Sequence, residues 1–334
     1  MNSYQRTMAR LAGEPVDRLP AQPILMLLAA KLIGRTYADY VRDYRVCAQG
    51  QLNLVEQFGV DMVSLCSDPW REAGDCGTEL TFFDAQPPAA RQHLLADKSA
   101  LAQLRMPDPA TGPRMGDRIN GVRLLREQVG GEVPVLGWVE GPMAEAADLR
   151  GLNAILEDLL LDQPFTHDLM NFATEMEVRF AQAQVAAGAD MVGIGDAAAS
   201  LISPELYVRF VLPGEQRLAQ AIHEAGAKVR LHICGKTNHL LQHMAKVGAD
   251  QVELDYPADL TKARAAVGPD VCLLGNMDPV RVVEQGTPEQ IKQACAQCHQ
   301  AAGERYILAA GCEVPPGTPL ENVRAMFEYA ASTT

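Results

Sequence analysis

Residues 229–235 have the sequence Val-Arg-Leu-His-Ile-Cys-Gly and are followed by Lys-Thr-Asn. Apolar residues alternate along this stretch and a glycine follows them, which predicts a buried strand that ends in a turn before a helix. Because side chains along a strand repeat with a period of two, His232 and Cys234 project from the same face at its carboxyl end. The stretch therefore combines a strand with an imidazole and a thiol placed side by side.

The same local plan returns along the chain. At 59–68, 188–196 and 248–255, a glycine is followed by a small residue, an aspartate and an apolar run. Glycine commonly occupies the position just after a helix, so each phrase indicates a helix that ends and a strand that begins. The repetition indicates βα units built on one plan. Strands are predicted at 21–26, 60–66, 134–139, 190–195, 228–233, 250–255, 271–276 and 305–310.

Eight strands that alternate with helical stretches predict an α/β protein, specifically a (β/α)8 TIM barrel. One domain would span residues 1–334, with an N-terminal helical lead-in and an insertion around 72–120. A predicted hairpin near 79–83 and a proline-rich connection interrupt the alternation within this insertion. An open doubly wound sheet is the alternative, but no Gly-x-Gly-x-x-Gly follows the first predicted strand.

A second cysteine site follows the last predicted strand. In a barrel of this kind the active site lies at the carboxyl ends of the strands, where His232, Cys234 and Cys312 all fall. One imidazole and two thiols would leave a fourth tetrahedral position open for water or substrate, which is typical of catalytic zinc. The alternative is that these are core side chains, since buried cysteine often serves as a small apolar filler. Their shared position at the rim favours the zinc site.

Polar side chains also follow the other predicted strands. Each of them is either a substrate contact or a structural hydrogen-bonding group, and the sequence leaves this choice open. The residues predicted to be catalytic are Glu140, Asp196, Asp255, Tyr256, Asn276 and Asp278.

Composition excludes several classes of partner. The chain has 334 residues, 48% of them hydrophobic and 21% charged, as in ordinary globular proteins. A net charge of −13 disfavours nucleic acid and anionic membrane surfaces, and no apolar run is long enough to span a bilayer. Eight cysteines without an export signal predict a cytoplasmic protein with free or metal-bound thiols.

Four motifs together resemble the uroporphyrinogen decarboxylase superfamily. They are His-Ile-Cys-Gly at 232–235, Gly-Asn-Met-Asp-Pro at 275–279, Ala-Ala-Gly-Cys-Glu-Val-Pro-Pro at 309–316 and Gly-Asp-Ala-Ala-Ala-Ser-Leu-Ile-Ser-Pro-Glu at 195–205. Within the superfamily they look like the zinc-dependent methyltransferase branch, typified by the methylcobamide:coenzyme M methyltransferases. The resemblance extends from Arg18 to the last helix.

This resemblance implies a zinc ion held by His232, Cys234 and Cys312. It also implies that a methyl group moves between a small methylated substrate or thiol and a corrinoid, that is, methylcobalamin. The chain has no Asp-x-His-x-x-Gly, the signature of corrinoid carriers. The corrinoid is therefore expected on a separate carrier protein that docks over the barrel mouth.

Two departures from the family patterns bear on the reaction. Decarboxylases of the superfamily carry an arginine-rich N-terminal motif, whereas only Arg18 and Arg35 occur between residues 18 and 36. The lack of this motif argues against the alternative function, which is a metal-free decarboxylase acting on a porphyrinogen or another carboxylated substrate. Some thiol-methylating relatives have a glutamate where this chain has Tyr256. The absence of that carboxylate predicts an open zinc position and favours demethylation of a small compound over methylation of coenzyme M.

Overall fold

A computed structural model describes residues 1–333 and contains nine strands. Seven of them form one parallel sheet in the spatial order first, fourth, fifth, sixth, seventh, eighth, ninth, while the second and third pair antiparallel. The strands are β1 (Val63–Ser64), β2 (Leu80–Thr81), β3 (Ala89–Ala90), β4 (Val135–Glu140), β5 (Met191–Gly195), β6 (Lys228–Ile233), β7 (Gln251–Leu254), β8 (Cys272–Gly275) and β9 (Tyr306–Ile307).

Helices connect these strands along the described chain. Two 3₁₀ segments, Lys98–Gln103 and Ala197–Leu201, and two π-helical segments, Tyr207–Val211 and Pro279–Glu284, accompany them. None of the described helices is long and apolar enough to cross a membrane. The α-helices are α1 (Ser3–Ala12), α2 (Leu27–Leu32), α3 (Tyr37–Arg42), α4 (Tyr44–Phe58), α5 (Arg71–Asp75), α6 (Met115–Val129), α7 (Pro142–Arg150), α8 (Leu152–Leu161), α9 (Gln163–Ala186), α10 (Pro204–Leu206), α11 (Leu212–Glu224), α12 (Leu241–Met244), α13 (Leu260–Val267), α14 (Pro288–Ala302) and α15 (Leu320–Ala331).

Seven of the eight predicted strands are present, most of them shorter than predicted, but residues 21–26 do not form a strand. Ala21 makes only an isolated parallel bridge with Leu308, and the N–H of Gln22 donates to the carbonyl of Leu308 at 2.8 Å. On the other side, the N–H of Asp61 donates to the carbonyl of Ala21 at 3.0 Å. Prolines at 20 and 23 flank this contact, and since proline has no N–H donor, a regular ladder cannot extend through them.

The parallel sheet is buried on both faces. Every residue of β4, β5, β7 and β8 is buried, and only the first residue of β6 is exposed. One face packs against the helices, and the other encloses a separate small apolar cluster that includes Leu136, Leu274 and Ile307. A separate apolar cluster of this kind is expected on the concave side of a curled parallel sheet, where side chains from several strands meet. The sheet thereby gathers the carboxyl ends of its strands around one region.

The predicted insertion at 72–120 is confirmed as a departure from the βα alternation. It contains the hairpin predicted near 79–83, seen as the antiparallel pair β2–β3. The Asp75 carboxylate fixes the far end of this segment, because it accepts from the N–H groups of Arg114 at 2.9 Å and Met115 at 2.8 Å. These N–H groups belong to the start of α6, where the alternation resumes.

Candidate active site

The side chains of His232, Cys234 and Cys312, here called the sulfur cluster, meet at the carboxyl ends of β6 and β9. One donor atom of each lies within 4.8 Å of the others. Nε2 of His232 is 3.0 Å from Sγ of Cys234, and the Sγ atoms of Cys234 and Cys312 are 3.9 Å apart. The histidine is buried and the cysteines are half-buried. The fold thus joins cysteines that are 78 positions apart in sequence.

The geometry of the sulfur cluster fits zinc. Zinc–sulfur bonds of about 2.3 Å at a tetrahedral angle place two sulfurs about 3.8 Å apart, close to the observed 3.9 Å between Cys234 and Cys312. The same bonds place a ligating nitrogen about 3.6 Å from a sulfur, so the 3.0 Å between His232 and Cys234 would widen slightly on binding. Disulfide sulfurs lie about 2.0 Å apart, so the cysteines are not bonded to each other.

Asp255 holds the turn that follows Cys234 and packs against the turn that carries Cys312. Its carboxylate accepts from the N–H of Gly235, just after Cys234, at 2.7 Å, and from the N–H of Tyr256 at 2.7 Å. Gly235 has φ +84°, a left-handed conformation that favours glycine. A Cβ at Gly311, just before Cys312, would lie 2.3 Å from the Tyr256 nitrogen and 2.9 Å from an Asp255 oxygen. Glycine at 311 therefore lets the second cysteine turn approach Asp255.

Glu253 faces the imidazole of His232 from the neighbouring strand. The two residues are register partners in β6 and β7, and Oε2 of Glu253 is 3.6 Å from Nδ1 of His232. Burial is the largest single effect and lowers the pKa of His232, but the charge of Glu253, the hydrogen bond and charge of Cys312 and the charge of Asp255 together raise it to about 9. Burial also raises the pKa of Glu253. The separation is longer than a hydrogen bond, so Glu253 acts on the second ring nitrogen of His232 through its charge and not through hydrogen-bond contact.

The pKa values of the two thiols in the sulfur cluster shift in opposite directions. A hydrogen bond from Cys234 and the neighbouring His232 lower the pKa of Cys312 to about 4, against the opposing effect of burial. The pKa of Cys234 rises because it donates to Cys312 and because it is buried. The lowered pKa favours the thiolate form of Cys312, which is the form of cysteine that binds metal ions.

A cavity of about 170 Å³ lies in front of the sulfur cluster. Apolar and aromatic side chains make up most of its lining, and Trp138 packs beside the cluster with its ring centroid 6.2 Å from that of His232. Two glycines of β5 make room for the indole, since a Cβ at Gly193 would lie 2.3 Å from the Trp138 ring and one at Gly195 would lie 2.9 Å from it. The cavity is smaller than the 300 Å³ or so of drug-sized pockets and suits a small substrate.

Charged groups occupy the opposite wall of the cavity. Arg71 donates to the Glu140 carboxylate at 2.8 Å, to the Glu72 carboxylate at 3.2 Å and to the backbone carbonyl of Asp68. Asp68 is paired in turn with Arg114 at 2.6 Å. Burial raises the pKa of Glu140 to about 8, although Arg71 opposes the rise. The wall is therefore a closed network of ion pairs rather than a set of free charges.

Of the six residues predicted to be catalytic, only Glu140 lines the cavity. The carboxylate of Asp196 accepts from the N–H groups of Met143 and Ala144 at the start of α7. The Tyr256 side chain is 50% exposed and lies outside the cavity lining.

The remaining strand-end residues hold backbone segments in place. The amide of Asn276 donates to the carbonyls of Asp255 and Ala258, at 3.0 and 2.7 Å. The carboxylate of Asp278 accepts from the N–H groups of Val280 and Arg281 at the start of a π-helical segment. Asp255 acts through Gly235, as described above. The structure thus gives these residues supporting contacts and does not bring them to the cavity.

The sequence prediction missed four residues of the site: Arg71, Trp138, Glu253 and Glu313. Two of them carried a signal. Trp138 precedes Glu140 by two positions and Glu253 precedes Asp255 by two, so each shares a strand face with a residue that the sequence analysis singled out. Arg71 and Glu313 follow strand ends, but nothing in the pattern distinguished them from ordinary polar residues.

A second cluster of three ligand-type side chains lies close by, outside the cavity lining. Glu72 of α5, Glu145 of α7 and Glu177 of α9, here called the glutamate cluster, are fully buried and bring carboxylate oxygens within 4.8 Å of one another. Both oxygens of Glu145 and both of Glu177 have no hydrogen-bond donor within reach. Burial raises the pKa of each of these two carboxyls well above its ordinary value.

Comparison with known proteins agrees with this geometry. The chain is 29% identical to the methylcobamide:CoM methyltransferase MtbA of Methanosarcina mazei, over 98% of this chain and 96% of that protein. It is 32% identical to a methylated-thiol–coenzyme M methyltransferase of the same organism, over 100% of this chain and 90% of the relative. The solved structure of a methyltransferase from Methanosarcina mazei superposes with a TM-score of 0.91 at 25% identity, covering 99% of this chain and 98% of that one.

A family model described as Uroporphyrinogen decarboxylase (URO-D) matches residues 2–333, which is nearly the whole chain. The resemblance stated from the four motifs is therefore confirmed: the chain belongs to the uroporphyrinogen decarboxylase (URO-D) family.

Proposed function

We propose that this protein is a zinc-dependent methyltransferase that moves a methyl group between a small substrate and a corrinoid bound to a separate carrier protein. The observation that carries the proposal is the sulfur cluster, whose 3.9 Å sulfur–sulfur separation suits tetrahedral zinc and which faces a small cavity. The assignment of a corrinoid and of a transferred methyl group rests on the names of the methyltransferase relatives. Cysteine usage adds a cytoplasmic location to the proposal.

The residues of the cavity have distinct tasks in this proposal. His232, Cys234 and Cys312 would hold the metal, and Asp255 fixes the turn after Cys234 through the N–H of Gly235. Zinc bound there supplies Lewis acidity and a site that stabilises a thiolate at neutral pH. Trp138 narrows the cavity and excludes water from the reacting atoms.

The carrier protein would approach from the carboxyl ends of the strands, since the cavity lies there. We propose that residues 20–22 take the position of the eighth strand and close the sheet. The rim at the carboxyl ends of the strands then acts as the mouth of a (β/α)8 barrel. Their hydrogen bonds to Leu308 on one side and Asp61 on the other support this arrangement. A corrinoid presented at the mouth would face the substrate held beside the sulfur cluster.

The direction of transfer follows from the fourth metal position. Tyr256, which replaces a glutamate of thiol-methylating relatives, has its side chain half exposed and away from the cavity. No carboxylate of the described residues belongs to the sulfur cluster, and the position is left for substrate. We therefore propose demethylation of a small methylated compound onto the corrinoid in preference to methylation of coenzyme M.

Metal analysis and two assays test the proposal. The purified protein should contain about one zinc per chain. Cobalt(I) cobalamin with methyl ethers, methylamines and methyl thioethers should yield methylcobalamin, and methylcobalamin with thiols tests the reverse direction. A protein without zinc that releases carbon dioxide from a carboxylated substrate would support the decarboxylase alternative instead. Turnover confined to the thiol assay would reverse the proposed direction and leave the zinc site intact.

A further inference from the structure

The cavity in front of the sulfur cluster has an excess of acidic groups. Apart from His232, its lining among the described residues contains one basic side chain, Arg71, against the carboxyls of Asp68, Glu140 and Glu313. Arg114 neutralises Asp68, and Glu140 shares Arg71 with Glu72, so the unbalanced negative charge of the lining falls on Glu140 and Glu313 and attracts ligands of positive charge. The lining therefore favours a substrate with a positive group and disfavours an anionic one.

Arg71 cannot readily offer its charge to an anionic substrate. Both of its terminal nitrogens are already engaged, one by the carbonyl of Asp68 and the other by the carboxylates of Glu72 and Glu140. Its Nε atom is buried without solvent contact. A sulfonate or carboxylate entering the cavity would have to displace Glu140 from the guanidinium, which means leaving a buried carboxylate unpaired.

Glu140 lies at a defined distance from the sulfur cluster. It is the register partner of Gly195 on β5, which is in turn the partner of His232 on β6. With strands spaced about 4.8 Å apart, Glu140 and His232 are about 10 Å apart along the sheet. Gly195 carries no side chain between them, and the Trp138 ring packs over it. A short molecule can thus extend from the sulfur cluster across the indole to Glu140.

Glu140 also has a free oxygen for such a molecule. Arg71 binds Oε1, and Oε2 accepts no hydrogen bond from any described residue yet is not sealed from the cavity. An ammonium group placed beside Oε2 would compensate the buried carboxylate, and the adjacent indole would attract the cation through its π face.

On the basis of the function proposed above, we propose that the substrate is a thiol, or its methyl thioether, that carries an ammonium group. Its sulfur binds at the sulfur cluster and its ammonium group binds Glu140, with Trp138 between the two. Glu140 is then the residue that selects an amino compound over a sulfonated one.

The methyl transfer balances for this substrate class. In the methyl thioether the carbon–sulfur bond breaks, sulfur keeps the electron pair, and the product is the aminothiolate. The methyl group passes to the cobalt(I) corrinoid of the proposed carrier, which supplies the electron pair of the new carbon–cobalt bond and becomes cobalt(III). The ammonium group keeps its proton throughout.

Calorimetric titration of the zinc-loaded protein with three thiols of similar size tests this proposal without relying on turnover. The probes are 2-aminoethanethiol, 2-mercaptoethanol and 2-mercaptoethanesulfonate, compared at about pH 9, where the ammonium is charged and Glu140, with its pKa of about 8, is mostly ionised. The aminothiol should bind about tenfold more tightly than the neutral thiol, as one charge-assisted hydrogen bond would give, and the sulfonate should bind most weakly.

The variant Glu140→Gln provides the matched test, because an amide keeps the shape and can still accept from Arg71. It should lose about tenfold in affinity for the aminothiol and leave the affinity for 2-mercaptoethanol unchanged. Equal or tighter binding of the sulfonate by the wild-type protein would overturn the proposal even if the variant failed to fold. An aminothiol affinity unaffected by Glu140→Gln would also overturn it. Loss of all thiol binding, with no zinc retained, would instead overturn the proposed function and this inference together.

Discussion

The sulfur cluster and the glutamate cluster have the same spacing but different chemistry. In each, three side chains bring donor atoms within 4.8 Å of one another. The sulfur cluster sits on strand ends and turns beside a cavity and combines soft thiols with an imidazole, whereas the glutamate cluster consists of buried carboxylates on three helices. Proximity alone therefore does not identify a metal site. Ligand type and access decide whether such a group binds a metal or holds protons.

The largest expected effect concerns the sulfur cluster itself. Cys312→Ala should reduce the zinc content from about one per chain to nearly none, because two remaining ligands bind zinc weakly. Metal analysis after dialysis measures this change, and circular dichroism should show an unchanged fold. Cys66→Ala is the matched control, since Cys66 lines the same cavity without belonging to the cluster, and its zinc content should not fall. Full zinc content in Cys312→Ala would remove Cys312 from the site.

The second prediction concerns the carboxylate behind the histidine. Glu253→Gln should weaken zinc binding about 10- to 100-fold, because the charge that faces Nδ1 of His232 is lost. Competition with a zinc-binding dye measures the affinity. Glu177→Gln is the control, as it makes the same substitution at a buried residue of the glutamate cluster and should leave zinc affinity unchanged. A similar loss in both variants would show that the effect is structural rather than specific to His232.

The third prediction concerns the protons of the glutamate cluster. Glu145 has a pKa well above its ordinary value of 4.5 in the folded state, so above pH 4.5 the unfolded chain releases a proton that the folded protein keeps. Stability contributed by this group therefore falls as pH rises, by at most about 1.4 kcal/mol per pH unit. Glu145→Gln should make the fall of stability with pH shallower by the share of this group, whereas Glu177, whose pKa is also raised, keeps its own share. Urea unfolding between about pH 5 and pH 8 measures the change.

Glu56→Gln, an exposed substitution, should leave the slope unchanged and serves as the control for this measurement. If manganese or magnesium raised the melting temperature of the wild-type protein but not of Glu145→Gln, the glutamate cluster would be a metal site. The contrast between the two clusters would then have to be abandoned.

The smallest effect is expected at a strand-end carboxylate away from the cavity. Asp278→Ala should cost about 1 kcal/mol of stability, because Asp278 accepts from two N–H groups at the start of a helical segment. Zinc content and methyl transfer should stay within twofold of the wild type. A much larger loss of turnover at full zinc content would show that Asp278 acts in the reaction, as the sequence had suggested.

Local patterns in the sequence were sufficient for seven of the eight predicted strands and for placing His232 beside Cys234. The alternation of Val229, Leu231 and Ile233 predicts the strand, and the same period of two places His232 and Cys234 on one face. Residues 21–26 show the limit of this reasoning. Their apolar pattern predicts a strand, but the flanking prolines cannot donate to a ladder, so only a bridge forms.

Only the tertiary structure decided which polar residues reach the cavity. Asp196, Asn276 and Asp278 end strands just as His232 and Cys234 do, yet their side chains turn to backbone N–H and carbonyl groups of adjoining segments. Arg71 and Glu140 meet across 69 positions, and their pairing leaves the cavity without a free cation among its described lining. Such choices depend on which unpaired backbone groups lie within reach after folding, because a buried polar group must find a partner. That information is spread over distant segments and is absent from any local pattern.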